Sequence, residues 1–208
     1  MEETMNQSDQ TLKYYEENAE NFASDTVAAD MSDARQRFLQ CLPQQARILD
    51  FGCGSGRDTK FFLDSGFAAD AVDGSPELCR IASEYTGIDV KQMLFQELDA
   101  EDVYDGVWAC SSILHLPKEE LKDVLGRIAI ALKEGGILYT SFKYGTFEGL
   151  RSGRYFTDFT EESLRDFWGE IPALELLETW ITHDVRPGRE DERWINLLAV
   201  RCGEDICK

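Results

Sequence analysis

Ile48-Leu-Asp-Phe-Gly-Cys-Gly-Ser-Gly56 decides the fold. The apolar run from Ala46 to Phe51 reads as a short buried strand, and three alternate glycines follow it at once. Glycines at that point let the backbone turn tightly and come within contact distance of a ligand. Seventeen residues beyond Gly56, Asp73 closes a second apolar run, Phe67 to Val72. Folds of this kind place there a carboxylate that accepts both hydroxyls of a ribose. Strand, glycine loop, helix, strand and acid, in that order, point to a nucleoside-containing cofactor.

Outward from this unit, strands and helices alternate. On the amino-terminal side, Thr11 to Cys41 suits two helices, the first with Tyr14, Tyr15, Asn18 and Phe22 at spacings of three and four, the second starting near Ser32. On the other side, Pro76 opens a helix running to about Tyr85. Ile88 to Leu94 and Tyr104 to Cys110 are strand candidates, Leu121 to Leu132 is a helix, and Gly135-Gly136 stops it before a strand from Ile137 to Phe142. Glu161 to Trp168 reads as a short helix. Two last apolar stretches, Leu174 to Thr182 and Trp194 to Val200, have no helix between them and should pair as an antiparallel hairpin at one sheet edge. The expected architecture is α/β: a doubly wound, mostly parallel, Rossmann-like sheet with helices on both faces. Residues 1–208 read as one domain, with 1–43 a helical cap.

The chain has 208 residues, 43% hydrophobic and 29% charged, enough for a sizeable core. Its net charge of −19 repels phosphate backbones and anionic lipids, so neither nucleic acid nor membrane is an expected partner. No apolar run reaches membrane-helix length and the first residues are acidic, so a soluble cytoplasmic protein is expected. Cys41, Cys53, Cys79, Cys110, Cys202 and Cys207 form no CxxC pair and no metal-ligand spacing, which predicts reduced thiols and no metal centre. The charge is uneven: residues 1–34 hold nine acids and one base, whereas Lys143 to Arg154 holds three bases against Glu148.

Asp50 narrows the cofactor. A carboxylate at the loop mouth repels a pyrophosphate but gives an α-ammonium a charge-assisted hydrogen bond, directly or through water. S-adenosylmethionine carries that ammonium. Here the sequence resembles the class I S-adenosylmethionine-dependent methyltransferases: Ile48 to Gly56 looks like their first motif, Ala71-Val-Asp-Gly-Ser75 their second, Tyr104-Asp-Gly-Val-Trp-Ala109 their fourth strand, and Leu132-Lys-Glu-Gly-Gly-Ile-Leu138 the approach to the fifth. The resemblance implies a seven-stranded sheet with an antiparallel last strand. It assigns Asp50, Gly52, Cys53, Gly54 and Gly56 to the methionine end of the cofactor, Asp73 to the ribose, and Gly74 and Ser75 to the adenine. Cys110 and Ser111 would complete the pocket floor. Where the family usually has an acid for the adenine amino group, this chain has Leu94. Either backbone carbonyls and the apolar faces of Met93, Leu94 and Phe95 hold the ring, or Gln92, Gln96 or Glu97 substitutes.

Within that family, Tyr14-Tyr-Glu-Glu-Asn-Ala19, Gly54-Ser-Gly-Arg-Asp58, Ser112-Ile-Leu-His-Leu-Pro117, Ser141-Phe-Lys-Tyr-Gly145 and Gly153-Arg-Tyr-Phe156 look like small bacterial methyltransferases of the tellurite-resistance type. In these the first helix folds over the cofactor, which would make Tyr14 or Tyr15 a lid and bring Arg57 to the cofactor carboxylate. The product would be S-adenosylhomocysteine. His115 is either a satisfied structural histidine or a proton acceptor beside the methyl acceptor, and Tyr144 is a second candidate base. Arg151, Arg154, Arg186, Arg189 and Trp194 cluster toward the carboxyl-end edge of the sheet. They either bind an acidic small acceptor through guanidinium forks or pair with Glu190, Asp191 and Glu192. The expected function is methyl transfer to a small acidic molecule, with a non-catalytic cofactor-binding protein acting through a protein partner as the alternative. A nicotinamide enzyme is disfavoured, since it expects GxGxxG near the chain start and no Asp50.

Overall fold

The computed structural model describes residues 7–186 and 188–203. Helices α1 (Gln7–Thr26) and α2 (Ser32–Gln40) precede β1 (Arg47–Phe51), α3 (Arg57–Asp64), β2 (Ala68–Asp73), α4 (Pro76–Thr86), β3 (Lys91–Gln92) and β4 (Tyr104–Ala109). Then follow α5 (Lys118–Ala131), β5 (Leu132–Lys143), β6 (Glu148–Arg151), β7 (Arg154–Thr157), α6 (Glu161–Trp168), β8 (Leu174–His183) and β9 (Arg193–Arg201). The main sheet has seven strands in the order β3-β2-β1-β4-β5-β9-β8. All neighbours from β3 to β5 are parallel, and β9 runs antiparallel to both β5 and β8. The Rossmann-like α/β sheet and its terminal hairpin are as expected from the sequence.

Alternation along the strands explains why both faces need helices. Leu49, Val107, Leu138 and Leu197 point into one core with α5 and α6, while their neighbours Ile48, Trp108, Tyr139 and Leu198 point into a second with Phe38 of α2 and Phe62 of α3. Trp108 stacks on Tyr139 at 3.9 Å between centroids. Helix α2 thus belongs to the core of the sheet, whereas α1 lies across the carboxyl ends of the strands. Glu16 of α1 accepts hydrogen bonds from the Ser75 hydroxyl (2.6 Å) and the Glu77 backbone N–H (3.2 Å).

Two strand boundaries and one additional hairpin differ from expectation. The third strand shrinks to Lys91–Gln92 because it is an edge strand with a single neighbour, β2. The fifth begins at Leu132, a bulge between the Tyr104 and Gly106 pairings absorbing the two glycines inside the strand. An extra hairpin, β6 with β7, forms a separate two-stranded sheet. Cys41, Cys53, Cys79, Cys110 and Cys202 are free thiols, and Cys207 lies outside the described residues. Among the described residues no helix is long and apolar enough to cross a membrane, and no group of three potential metal ligands occurs.

Candidate active site

The carboxyl ends of parallel strands open on one edge, and there a cavity of about 460 Å³ is lined from the glycine loop to the β8–β9 loop. Gly52 and Gly54 face it with φ of +83° and +56°. A Cβ would fall 2.5 Å from Ser112 Cβ at the first and 3.0 Å from the Phe22 ring at the second, so larger side chains are excluded. Gly56 is turned away. A Cβ there would meet Thr86 and Ala82 of α4, which makes it a packing residue between α3 and α4 and not a cavity wall.

Asp73 closes this end. Its carboxylate accepts the backbone N–H groups of Gly54 and Ser75, each at 2.9 Å, and so holds both loops. Burial raises its pKa. Gly74 lines the cavity beside it, but Ser75 does not: it caps α4, accepting the Leu78 N–H at 3.2 Å while donating to Glu16. Cys53, Cys110 and Ser111 line the cavity floor. Burial pushes the Cys110 thiol up to about 11, so it stays protonated. Ser111 holds a φ of +53°, fixed by hydrogen bonds to the Ser141 hydroxyl from its N–H (3.0 Å) and between the two hydroxyls (3.1 Å).

Asp50 is 2% exposed and accepts a hydrogen bond from the Thr59 hydroxyl at 2.5 Å. Burial, reinforced by the neighbouring Asp58, pushes its pKa up to about 7. Among the described residues no cation lies within ion-pair distance of it. Arg57 is on the cavity wall, but its guanidinium is engaged by Asp58 (2.6 and 3.1 Å) and the Thr26 carbonyl (3.3 Å). Asp58 also binds Arg35 at 2.5 Å and accepts the Trp108 indole N–H at 3.0 Å.

Met93, Leu94, Phe95 and Gln96 form the opposite wall, Phe95 resting on Phe51 with centroids 4.9 Å apart. Glu97 is turned onto the Leu94 N–H (2.7 Å) and Gln92 onto the Gly74 carbonyl (3.3 Å), so neither lines the cavity. Of the three polar substitutes for the missing acid, Gln96 alone does, bonded to Glu120 at 2.8 Å.

The far end is cationic. His115 is 7% exposed; its Nδ1 lies 2.6 Å from the Tyr155 carbonyl and its Nε2 2.7 Å from the Tyr15 hydroxyl. Burial lowers its pKa to about 4, so the ring is neutral. Arg154 reaches the Tyr15 hydroxyl from Nη1 at 3.4 Å and covers the Tyr14 ring at 4.5 Å. Among the described residues no carboxylate pairs with it, and its buried Nε has no partner. Lys143, Arg186, Arg189 and Trp194 also line this end. Arg186 forks onto Asp184 (2.9 and 2.6 Å), and Trp194 donates to the same carboxylate at 3.0 Å. Burial opposes ionisation of Asp184, yet these bonds hold it below the usual carboxylate range. Lys143 pairs with Glu192, and Arg189 approaches it at 3.7 Å.

Besides Gly56 and Ser75, three further expected residues stand off the cavity. Tyr144 follows cavity-lining Lys143 in the chain, so alternation turns it away; it packs against the core with Arg193 over its ring at 4.3 Å. Arg151 is held by both oxygens of Asp158, at 3.0 and 3.1 Å, and Tyr14 lies behind Arg154. Lys143, Asp184 and Asn196, none of them assigned a site role from sequence, also line the wall. For Lys143, the basic character of the stretch from 143 to 154 was the available signal.

A family model described as a methyltransferase domain matches residues 48–136. An uncharacterized methyltransferase of Anoxybacillus flavithermus is 22% identical over 169 residues, covering 76% of this chain and 80% of that protein. Another, from Staphylococcus carnosus, is 28% identical over 138 residues, 63% of this chain and 67% of its own length. Among solved structures, 1,6-didemethyltoxoflavin-N1-methyltransferase of Burkholderia thailandensis, with bound 1,6-didemethyltoxoflavin and S-adenosylhomocysteine, matches with a TM-score of 0.70 at 22% identity, over 92% of this chain and 85% of that one.

Proposed function

We propose that this chain, an S-adenosylmethionine-dependent methyltransferase of the class I fold, methylates a small acidic molecule held at the Arg154 end of its cavity. The residues suit the cofactor. Asp50, a buried carboxyl with no ion-pair partner among the described residues, is the partner an α-ammonium needs. Asp73 has acceptor capacity for a ribose diol beyond its two backbone bonds. The backbone of Gly52, Cys53 and Gly54 would hold the methionine end, Met93, Leu94 and Phe95 the adenine, with Gly74, Cys110 and Ser111 completing the walls. When bound, S-adenosylmethionine supplies a methyl group on a positively charged sulfur, so the protein's share is alignment and exclusion of water.

One observation carries the acidic acceptor: Arg154 faces the cavity with no carboxylate partner among the described residues, whereas Arg186 and Arg151 each have one. An uncompensated guanidinium favours a carboxylate or phosphate ligand. The net charge of −19 argues against RNA or DNA as the acceptor. In this reading α1 is a cap, with Tyr15 on its cavity side, and residues 1–208 act as one unit. A reducing, cytoplasmic setting is part of the same proposal, supported by the free thiols of Cys53, Cys79 and Cys110 around the site. The resemblance to the tellurite-resistance type stays within this proposal as a statement of size class and not of substrate.

Calorimetric titration with S-adenosylmethionine and S-adenosylhomocysteine, followed by methyl-transfer assays on small acids and their neutral amides, tests the reading. Binding should be lost on Asp73→Ala, and transfer should favour the acids and weaken on Arg154→Gln. Transfer to the amides alone would overturn the acidic acceptor.

A further inference from the structure

We propose that Tyr15 and Arg154 together select the acceptor as an amino or hydroxy acid, with the nucleophilic N–H or O–H one or two carbons from the carboxylate. The inference rests on the acidic acceptor proposed above and adds the chemistry of the group that takes the methyl.

The hydrogens of the Tyr15–His115 pair can be assigned from their partners. A backbone carbonyl only accepts, so His115 Nδ1, 2.6 Å from the Tyr155 carbonyl, carries a hydrogen. The ring is neutral, so Nε2 carries none and must accept. The atom opposite it is the Tyr15 hydroxyl at 2.7 Å, which therefore donates. The one hydrogen of Tyr15 is committed to His115 and one acceptor site of Oη to the long bond from Arg154, so Oη offers the cavity acceptor capacity and no donor. A ligand group seated on Oη must bring its own hydrogen. A neutral amine or a hydroxyl meets that condition; a thioether, a tertiary amine or a bare carboxylate does not.

Arg154 supplies the second anchor. Its Nη1 lies 3.4 Å from Tyr15 Oη, so a carboxylate on the guanidinium and a donor on Oη are neighbours. With N–C and C–C bonds of about 1.5 Å, the amine nitrogen and nearer carboxylate oxygen of an α-amino acid are roughly 2.7 Å apart, and one further carbon adds about an ångström. Longer spacers overshoot the two anchors. The bond to His115 also fixes the direction of the Oη lone pairs and so the orientation of the nucleophile, which makes His115 a positioning residue acting through Tyr15. Its ring is itself held by Phe156, centroids 4.8 Å apart.

The test uses matched acids on the full chain saturated with S-adenosylhomocysteine: alanine, lactate and propionate, and phenylalanine, 3-phenyllactate and 3-phenylpropionate. Calorimetry should give the amino or hydroxy member of each set about tenfold tighter binding than the plain acid. Tyr15→Phe and His115→Leu should erase that preference, His115→Gln should retain it because its amide oxygen still accepts from Tyr15, and Arg154→Gln should weaken every acid. In methyl-transfer assays Tyr15→Phe should depress kcat more than it raises KM. A cooperative melting transition and retained S-adenosylhomocysteine binding identify variants that fold. Equal binding within each set, a preference that survives Tyr15→Phe, or methylation of the plain acids at the same rate overturns the inference while leaving the acidic acceptor standing. Failure of every acid to bind overturns both.

Discussion

Tyr15 Oη lies 2.7 Å from Nε2 of His115 across 100 positions of sequence, joining the first helix to the segment after β4. The Tyr15 ring also meets Phe22 edge-on at 5.1 Å, and Phe22 covers Gly54. One face of α1 thus touches both the glycine loop and the cationic end of the cavity. The docked helix therefore supplies wall at both ends of the cavity.

Burial of His115 links stability to pH. Its folded pKa of about 4 is below the ordinary 6.5, so the unfolded chain binds the proton first as pH falls. The resulting stability is present above pH 6.5 and is lost as pH falls toward 4. Replacing His115 by Gln should remove this dependence: in urea unfolding, wild type should lose more stability than the variant between pH 7 and pH 5. Parallel curves would show that His115 is not buried as a neutral ring.

The glycine-loop end of the cavity was legible in sequence because its constraints are local. Tight turns at Gly52 and Gly54 need glycine, and Asp73 follows the strand that places it. The cationic end was not legible, because it depends on which of two similar side chains finds a partner. Arg151 and Arg154 are three residues apart and look alike, yet Asp158 captures the first and leaves the second facing the cavity. Tyr144, read as a candidate base from its residue type, stands off the cavity because alternation turns it away from the side that Lys143 lines. The β6–β7 hairpin, which delivers Arg154, carries no strong periodicity and is held by long-range bonds such as Tyr155 N–H to the Thr11 hydroxyl at 3.0 Å.

Asp50 predicts a pH-dependent affinity for the cofactor. Burial, helped by the Asp58 charge and only partly offset by the Thr59 hydrogen bond and the charge of Arg57, raises its folded pKa from 3.8 to about 7, and an arriving ammonium favours the ionised form. Affinity for S-adenosylhomocysteine should therefore rise about tenfold from pH 6 to pH 8, as the ionised fraction of Asp50 grows. Asp50's own contribution to the stability of the unliganded protein should be lost over the rise from pH 3.8 to about 7, opposite in sign to that of His115, since the folded state keeps a proton that the unfolded chain releases. Asp50→Asn should bind weakly and with a flat profile; a flat profile for wild type would remove Asp50 from ammonium recognition.

The Asp58 cluster predicts which buried charge the amino-terminal half depends on. Arg35, Arg57 and Asp58 have side chains 11%, 16% and 6% exposed, and one carboxylate serves both guanidinium groups and the Trp108 N–H. Removing its charge strands two buried cations, whereas removing Arg35 still leaves Asp58 paired with Arg57. Asp58→Asn should cost about 3–5 kcal/mol in urea unfolding, and Arg35→Met distinctly less. Because Asp58 also fixes Arg57 on the cavity wall, Asp58→Asn should weaken S-adenosylhomocysteine binding at temperatures where the variant is folded. A loss under about 1 kcal/mol for Asp58→Asn, or equal losses for the two variants, would mean that solvent already compensates these charges and that the cluster does not organise α2 and α3 around the site.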